Sequence, residues 1–186
     1  MPDEAALAEL VADRQIRRVI YDYARGIDRY DLELVRACYW PDARDFHGAF
    51  DGTRDEFIDW VAPLLQRQTM TMHNLANIII DLDGDRAGAE TYGIAYHSGD
   101  PAGDMRWNYA AGFRYVDRFE RRDGQWRIAD RTTAIEWVTP WDADRERVSR
   151  LGRRAARRDR EDPVYSVLPG SALPGAPRAP VRASAP

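Results

Sequence analysis

The hydrophobic pattern of this chain changes period near residue 69, and that change limits the folds it can adopt. Residues 4–24 and 54–68 carry apolar side chains at helical spacing, whereas residues 71–138 form four strand-like runs separated by turns and one loop. Helices followed by antiparallel strands are typical of an α+β domain with helices on one face of a sheet. The sequence therefore predicts an α+β fold.

The segment between the first two predicted helices contains two acids with separate tasks. The first helix, over residues 4–24, has acids early and arginines later, as the helix dipole favours, and we expect Gly26 to end it. Asp31 precedes the next apolar helical stretch, which Pro41 ends, and is a good N-cap. Asp28 is therefore left free for another role.

The chain divides into three parts by composition. We expect the folded domain to occupy residues 1–140. Residues 141–167 form an Arg-rich C-terminal extension, in which 145–160 contain eight arginines and are expected to be a helix with a solvated basic face. Residues 168–186 are rich in Pro, Ala, Ser and Gly, which predicts disorder.

Composition argues against several partners and chemistries. The net charge of −4 is mild, so nucleic acid is not the expected partner. No apolar run approaches the roughly 18 residues of a membrane span, and the acidic N-terminus lacks the basic start of a signal peptide. The single Cys38 cannot form an intramolecular disulfide, which favours the cytoplasm. The chain has no lysine, which excludes Schiff-base chemistry.

The three histidines do not have the spacing of a metal site. His47, His73 and His97 stand alone, without an HxxxH, HxH or CxxC pairing, so we expect neither a metal nor a cofactor. We interpret His47, in the stretch DFHGAFDG, as a structural residue or part of a pocket rim.

Strand alternation places a charged side chain on an apolar face. In the last strand Arg131 shares a face with Ala129, Thr133, Ile135 and Trp137. A buried arginine needs a partner, either an acid of the protein or an anionic or carbonyl group of a ligand. Considered singly, Arg131 is compatible with a salt bridge to an acid of the protein. His73, Tyr23 and Asp28, considered singly, are compatible with purely structural roles.

The order of several short motifs resembles the SnoaL-like branch of the nuclear-transport-factor-2-like superfamily. The motifs span about residues 5–140 and are Y-x-x-x-x-D, YWPDA with DFHG, EFIDWV, MHNL at the start of a strand, and WRIADR. The resemblance implies a cone, in which a curved, mainly antiparallel sheet and N-terminal helices enclose an apolar cavity. Members of this branch include bile-acid and scytalone dehydratases, dehydrochlorinases, polyketide cyclases and non-catalytic binding proteins.

The resemblance to the dehydratases implies roles for individual residues. His73 corresponds to the cavity histidine that acts as base, Asp28 to the aspartate behind it, Tyr23 to the assisting tyrosine and Arg131 to the cavity arginine. Trp40 stands where many relatives carry histidine, so we expect it to reshape the pocket wall. The expected substrate-binding residues are Trp40, His97, Tyr109 and Trp137.

These roles predict a cofactor-independent dehydratase that acts on a hydrophobic polycyclic substrate of steroid or polyketide type. A polyketide cyclase or isomerase with the same base, and a non-catalytic small-molecule-binding domain, are the alternatives. Dehydrochlorination is less expected, because those enzymes carry lysine where this chain has Tyr23. We also expect a homodimer or homotrimer, because only one face of a sheet can line the cavity and the aromatic face of residues 107–119 is available for a partner.

Overall fold

The computed structural model describes residues 3–99, 108–141, 150, 156–159 and 161–167. Four strands follow residue 69, as the switch from helical to alternating pattern predicted, but two further strands over residues 39–47 and 50–53 precede the third helix, which the helical pattern did not predict. The elements are α1 (Glu4–Asp28), α2 (Leu32–Ala37), β1 (Tyr39–His47), β2 (Phe50–Thr53), α3 (Arg54–Arg67), β3 (Met70–Asp83), β4 (Arg86–Ser98), β5 (Tyr109–Arg122), β6 (Gln125–Pro140) and α4 (Val164–Val167).

The six described strands form one curved mixed sheet in the order β2-β1-β6-β5-β4-β3. The β1–β6 pair is parallel and the other pairs are antiparallel. The three longer helices pack against this sheet, and the core lies between them. The predicted α+β class is confirmed.

The second helix is shorter than predicted, because the chain enters the sheet early. The apolar pattern suggested a helix as far as Pro41, but α2 ends at Ala37 and β1 starts at Tyr39. Tyr39 pairs with Ile128 of β6 and is fully buried. Pairing with a central strand therefore overrides the local helical pattern.

Gly26 does not end α1, which corrects the expected helix boundary. The helix continues to Asp28, and the positive φ of 55° that follows it is at Tyr30. A Cβ at Gly26 would lie 2.7 Å from the Val35 side chain and 3.2 Å from the Asp31 carbonyl oxygen. Glycine is needed here because α2 crosses close to α1, and Asp28 consequently belongs to the last turn of α1.

The prediction that Asp31 caps α2 is confirmed. Its carboxylate accepts a hydrogen bond from the Leu34 main-chain N–H at 3.3 Å. Cys38 follows α2 and is fully buried. Among the described residues, no helix has both the length and the hydropathy of a membrane span.

Two irregularities in β6 change which side chains share a face. The pairs Phe119–Ile128 and Arg118–Asp130 leave an extra residue at position 129, and the pairs Phe113–Ile135 and Gly112–Trp137 leave another at 136. Side chains beyond each bulge move to the opposite face from the one that strict alternation predicts.

The C-terminal extension is described in part. Residues 156–159 are not helical, which corrects the predicted basic helix at those positions, and the short α4 comes later, at Val164–Val167. The rest of that predicted helix, apart from residue 150, and the tail at 168–186 lie outside the described residues. The described extension lies against the C-terminal end of α1, where Arg29 forms an ion pair with Asp162 at 2.8 Å.

Candidate functional site

The last turn of α1 and the edge strand β3 bring Asp28 and His73 together. Asp28 Oδ1 lies 2.7 Å from His73 Nδ1, and Asp28 Oδ2 accepts a hydrogen bond from the His73 main-chain N–H at 2.9 Å. The side chains are 12% and 8% exposed. One carboxylate therefore holds both the ring and the strand that carries it. A proton on Nδ1, directed at Asp28, leaves Nε2 as the basic nitrogen of the neutral ring.

A second histidine and a tyrosine extend the site along neighbouring strands. The His97 ring lies 5.8 Å from the His73 ring and stacks on Tyr109 at 4.5 Å, centroid to centroid. Burial, and to a smaller extent the nearby His73, lower the pKa of His97 to about 3. Burial also raises the pKa of Tyr109. Both side chains are therefore neutral near pH 7 and offer hydrogen bonds without competing with His73 for a proton.

Tyr23 and Arg131 meet in the core. The Arg131 guanidinium is fully buried, lies 4.1 Å from the centre of the Tyr23 ring and 3.9 Å from that of Tyr115, and donates to both carboxylate oxygens of Asp117 at 2.7 and 2.6 Å. Burial by itself lowers the pKa of Arg131, but the Asp117 carboxylate together with Tyr39 and Tyr23 outweighs burial and keeps that pKa well above its ordinary value. Burial also raises the pKa of Tyr23, so its hydroxyl stays protonated.

The salt bridge that the sequence left open for Arg131 is therefore present, with Asp117 as the acid. The Nη1 atom of Arg131 has no hydrogen-bond partner among the described residues. Phe113 lies between this cluster and the Asp28–His73 pair, with ring centres 5.9 Å from His73 and 4.5 Å from Tyr115. Tyr23 and Arg131 thus lie behind an aromatic layer as seen from His73.

Two predicted substrate-binding residues lie elsewhere. Trp40 donates to the Glu120 carbonyl at 2.9 Å, near the end of β5 opposite to Tyr109. Trp137 lies over Gly112 on the sheet face opposite to Arg131, because of the bulge at position 136, and is 45% exposed. The expectation that these tryptophans line the same pocket as His73 is corrected.

A groove of about 710 Å³ runs beside the Asp28–His73 pair. It lies between α1, the start of β3 and the C-terminal extension, so part of its wall comes from outside the predicted domain. The lining residues are Tyr21, Ala24, Arg25, Asp28, Arg29, His73, Asn74, Leu75, Ala156, Asp162, Pro163 and Val164.

Sequence reasoning did not single out Asp117 or Arg158. Asp117 alternates with Phe113, Tyr115 and Phe119, so its place on the buried face was readable from the pattern. Arg158 is one of many arginines in the extension, and no local pattern separates it from the others. Its main-chain contacts with two helix ends are visible only in the folded chain.

His47 lies near the inner end of this site, with its ring centre 6.5 Å from that of Tyr115, and it contributes to the lowered pKa of His97. The His47 Nδ1 is 3.0 Å from Thr133 Oγ1 and 3.4 Å from Asp45 Oδ1, and its ring stacks on Phe57. Within the described part of the chain, no group of three or more His, Cys, Asp or Glu side chains is placed to hold a metal ion.

Comparison with known proteins agrees with the fold and the order of motifs. A profile of the SnoaL-like domain family matches residues 8–132, which is well over half of the chain. The chain belongs to this family. An uncharacterised protein of Mycobacterium tuberculosis is 28% identical over 129 residues, which cover 68% of this chain and 86% of that protein. A protein of Mycobacterium bovis matches equally well.

Solved structures with the same SnoaL-like fold include two from Novosphingobium. A candidate scytalone dehydratase from N. aromaticivorans superposes with a TM-score of 0.64 at 24% identity, covering 73% of this chain and 91% of that one. The hexachlorocyclohexane dehydrochlorinase LinA type 3 from N. barchaimii gives 0.61 at 17% identity, covering 73% and 93%. These similarities confirm the predicted SnoaL-like fold of the NTF2-like superfamily.

Proposed function

We propose that this SnoaL-like protein is a cofactor-independent dehydratase that uses Asp28 and His73 as a general base on a hydrophobic polycyclic substrate of steroid or polyketide type. The observation that carries the proposal is the pair of hydrogen bonds between one carboxylate and His73, at 2.7 Å to the ring and 2.9 Å to the main chain. Two bonds fix the ring in one orientation, which a base needs for proton transfer from a bound substrate.

The proposed reaction needs only the side chains of this site. His73 Nε2 removes a proton from the carbon next to a substrate carbonyl, and the adjacent Asp28 carboxylate stabilises the imidazolium that forms. The electron pair of the broken C–H bond becomes an enolate, and its return forms the carbon–carbon double bond as the β-hydroxyl departs. His73 returns the proton to the leaving oxygen, so the products are an unsaturated ketone or ester and one water.

The enolate oxygen needs hydrogen-bond donors. His97, which lies next to His73, and Tyr109, which stacks on His97, are both neutral, and we propose that they supply them. Preorganised donors of this kind stabilise developing charge most strongly where water is excluded. Tyr23 and Arg131 are fully buried behind Phe113 and outside the groove lining, so we propose that they support the inner wall of the site instead of contacting the substrate.

The size and lining of the groove are suited to a substrate of this class. Its volume of about 710 Å³ lies within the roughly 300–1,000 Å³ of small-molecule sites. Ala24, Leu75, Pro163 and Val164 supply apolar wall. The similar folds include proteins named for dehydration and dehydrochlorination, which are both eliminations. We favour dehydration over dehydrochlorination because the chain has no lysine, and the resemblance implies that dehydrochlorinases carry a lysine at the position of Tyr23.

The same base supports two other outcomes of the first step. A cyclase or isomerase would use the enolate to close a ring or move a double bond, and its product would have the mass of the substrate. A dehydratase product is lighter by one water, so mass spectrometry separates the two. A non-catalytic binding domain would give no product at all, and its ligand affinity would not depend on the basicity of His73.

The test is turnover of a panel of β-hydroxycarbonyl steroids and polyketides by wild type, His73→Ala and Asp28→Asn. Loss of a positioned base should lower turnover by about 10²–10⁴-fold, with an unchanged circular dichroism spectrum. The matched control is Asp42→Asn, which also removes a carboxylate, but one that is exposed and pairs with Arg122 near Trp40, away from His73. Full activity of His73→Ala would exclude the proposal.

We also propose that the protein works in the cytoplasm on a diffusible hydrophobic substrate. Its single cysteine, Cys38, is fully buried and free. Thiols of this kind persist in reducing compartments.

A further inference from the structure

The C-terminal extension makes a built contact with the end of α1 that carries Asp28. Arg29 Nη1 forms an ion pair with Asp162 Oδ2 at 2.8 Å and donates to the Arg157 carbonyl at 2.7 Å. Asp162 is 8% exposed and also accepts hydrogen bonds from the main-chain N–H groups of Arg157 and Val164. This docking involves residues beyond the family match, which ends at residue 132.

Arg158 is the residue of this extension that reaches the site. Its Nη1 donates to the carbonyl of Leu65 at 2.6 Å and to that of Gln68, at the end of α3. Its Nε and Nη2 lie 3.4 and 3.5 Å from the carbonyls of Asp28 and Ile27, at the end of α1. The last carbonyls of a helix lack intrahelical partners and carry partial negative charge, so one guanidinium here stabilises two helix ends at once.

The charge of Arg158 is also felt by the site. Burial lowers the pKa of Arg158, while the negative charge of Asp28 opposes that effect. In turn, the positive charge of Arg158 adds to burial and to His73 in lowering the pKa of His97. Arg158 therefore acts on the backbone that carries Asp28 and on the electrostatic field around the histidines.

We propose that Arg158 is a positioning residue of the site: by joining the ends of α1 and α3, it holds Asp28 against His73. The described extension around it, residues 156–159 and 161–167, forms the outer wall of the groove through Ala156, Pro163 and Val164. The catalytic consequence rests on the proposed function, but the geometric part does not require a substrate.

The experiment compares Arg158→Gln and Arg158→Lys with the matched control Arg157→Gln in the full chain. Arg157→Gln removes the same charge one residue away, but among the described residues the Arg157 side chain forms ion pairs with Asp159 and Glu161 of the extension. The readout is NMR of ¹⁵N-histidine-labelled protein, in which the His73 Nδ1 proton bonded to Asp28 gives a downfield signal. We expect Arg158→Gln to lose or shift this signal, and Arg157→Gln to retain it.

The lysine variant separates charge from geometry. Lysine keeps the charge but lacks the planar fork that reaches both helix ends. We expect Arg158→Lys to perturb the His73 signal while His97 titrates as in wild type, whereas Arg158→Gln raises the pKa of His97 as well. Thermal denaturation identifies the variants that remain folded. If Arg158→Gln is unfolded, the His73 signal of the folded Arg158→Lys variant decides whether Arg158 positions Asp28.

Activity is a second and separate readout. With a substrate from the panel, Arg158→Gln should lower kcat about 10-fold or more with a smaller change in KM, because a displaced base affects the chemical step. An unchanged His73 signal in both Arg158 variants would overturn the positioning role whatever the activity. Absence of turnover in wild type, with the NMR result as expected, would overturn only the proposed function.

Discussion

Asp28 and Asp31 lie three residues apart and perform different tasks. Asp31 caps α2 through its bond to the Leu34 N–H, and Asp28 holds the ring and main chain of His73. A cap needs only a carboxylate at the start of a helix, which local sequence can supply. The Asp28–His73 contact joins residues 45 positions apart, so it depends on how α1 lies against β3.

His97 should make the stability of the protein depend on pH below neutrality. Its pKa falls from 6.5 to about 3 on folding, so the unfolded chain binds a proton there that the native protein does not. This contribution to stability is complete above pH 6.5 and is lost as the pH falls towards 3. The slope for one group is about 1.4 kcal/mol per pH unit.

We therefore expect His97→Gln to reduce the loss of stability in that pH window. Urea unfolding of wild type and variant across the window measures both slopes. A shallower curve for His97→Gln is the expected result. Parallel curves would mean that His97 is protonated in the native protein, contrary to its burial.

At the scale of elements, α1 is positioned by a glycine that its own helix propensity disfavours. Gly26 lies inside the helix, where alanine would be better by about 1 kcal/mol. An added Cβ would however meet the main chain of Asp31 and Val35 at 3.2 and 3.1 Å, besides the Val35 side chain. Backbone atoms cannot move aside as a side chain tip can, so packing should outweigh propensity.

Gly26→Ala should accordingly destabilise the protein by about 1–3 kcal/mol in urea unfolding. Gly88→Ala in β4 is the matched control, because a Cβ there meets nothing within 4 Å. The control should change stability little. A stabilised Gly26→Ala protein would show that α2 does not approach α1 as closely as described.

The strand β6 shows where a periodic pattern stops being informative. Alternation placed Arg131 and Trp137 on one face, but the bulge at position 136 puts them on opposite faces. A bulge inserts one residue without interrupting the apolar and polar alternation in an obvious way. Only pairing with β5 shows on which side each residue lies.

At the scale of the whole molecule, the sheet has one covered face and one open face. Ile94, Val116 and Trp137 lie on the side opposite to Arg131, and they are 36%, 45% and 45% exposed. Exposed apolar side chains on one face of a sheet favour association with another copy. We propose a homodimer or homotrimer formed through this face.

Light scattering after size-exclusion chromatography tests this association. Wild type should elute as a dimer or trimer, and Val116→Lys on the open face should shift towards monomer. Leu10→Lys is the matched control, since Leu10 is equally apolar and 68% exposed but lies on α1. A monomeric wild type at all concentrations would contradict the proposal.

The sequence alone indicated the α+β class, the longer helices and the four strands after residue 69, the Asp31 cap, and Asp28 and His73 as candidates, but not the strands β1 and β2 before α3. Each depends on local periodicity, on capping chemistry or on short motifs in order. The tertiary structure decided the partners: Asp117 for Arg131, the place of Trp40 far from the site, the bulge that turns Trp137 outward, and Arg158 between two helix ends. These are contacts between residues distant in the chain, and local pattern does not encode the strand pairing and helix crossing that create them.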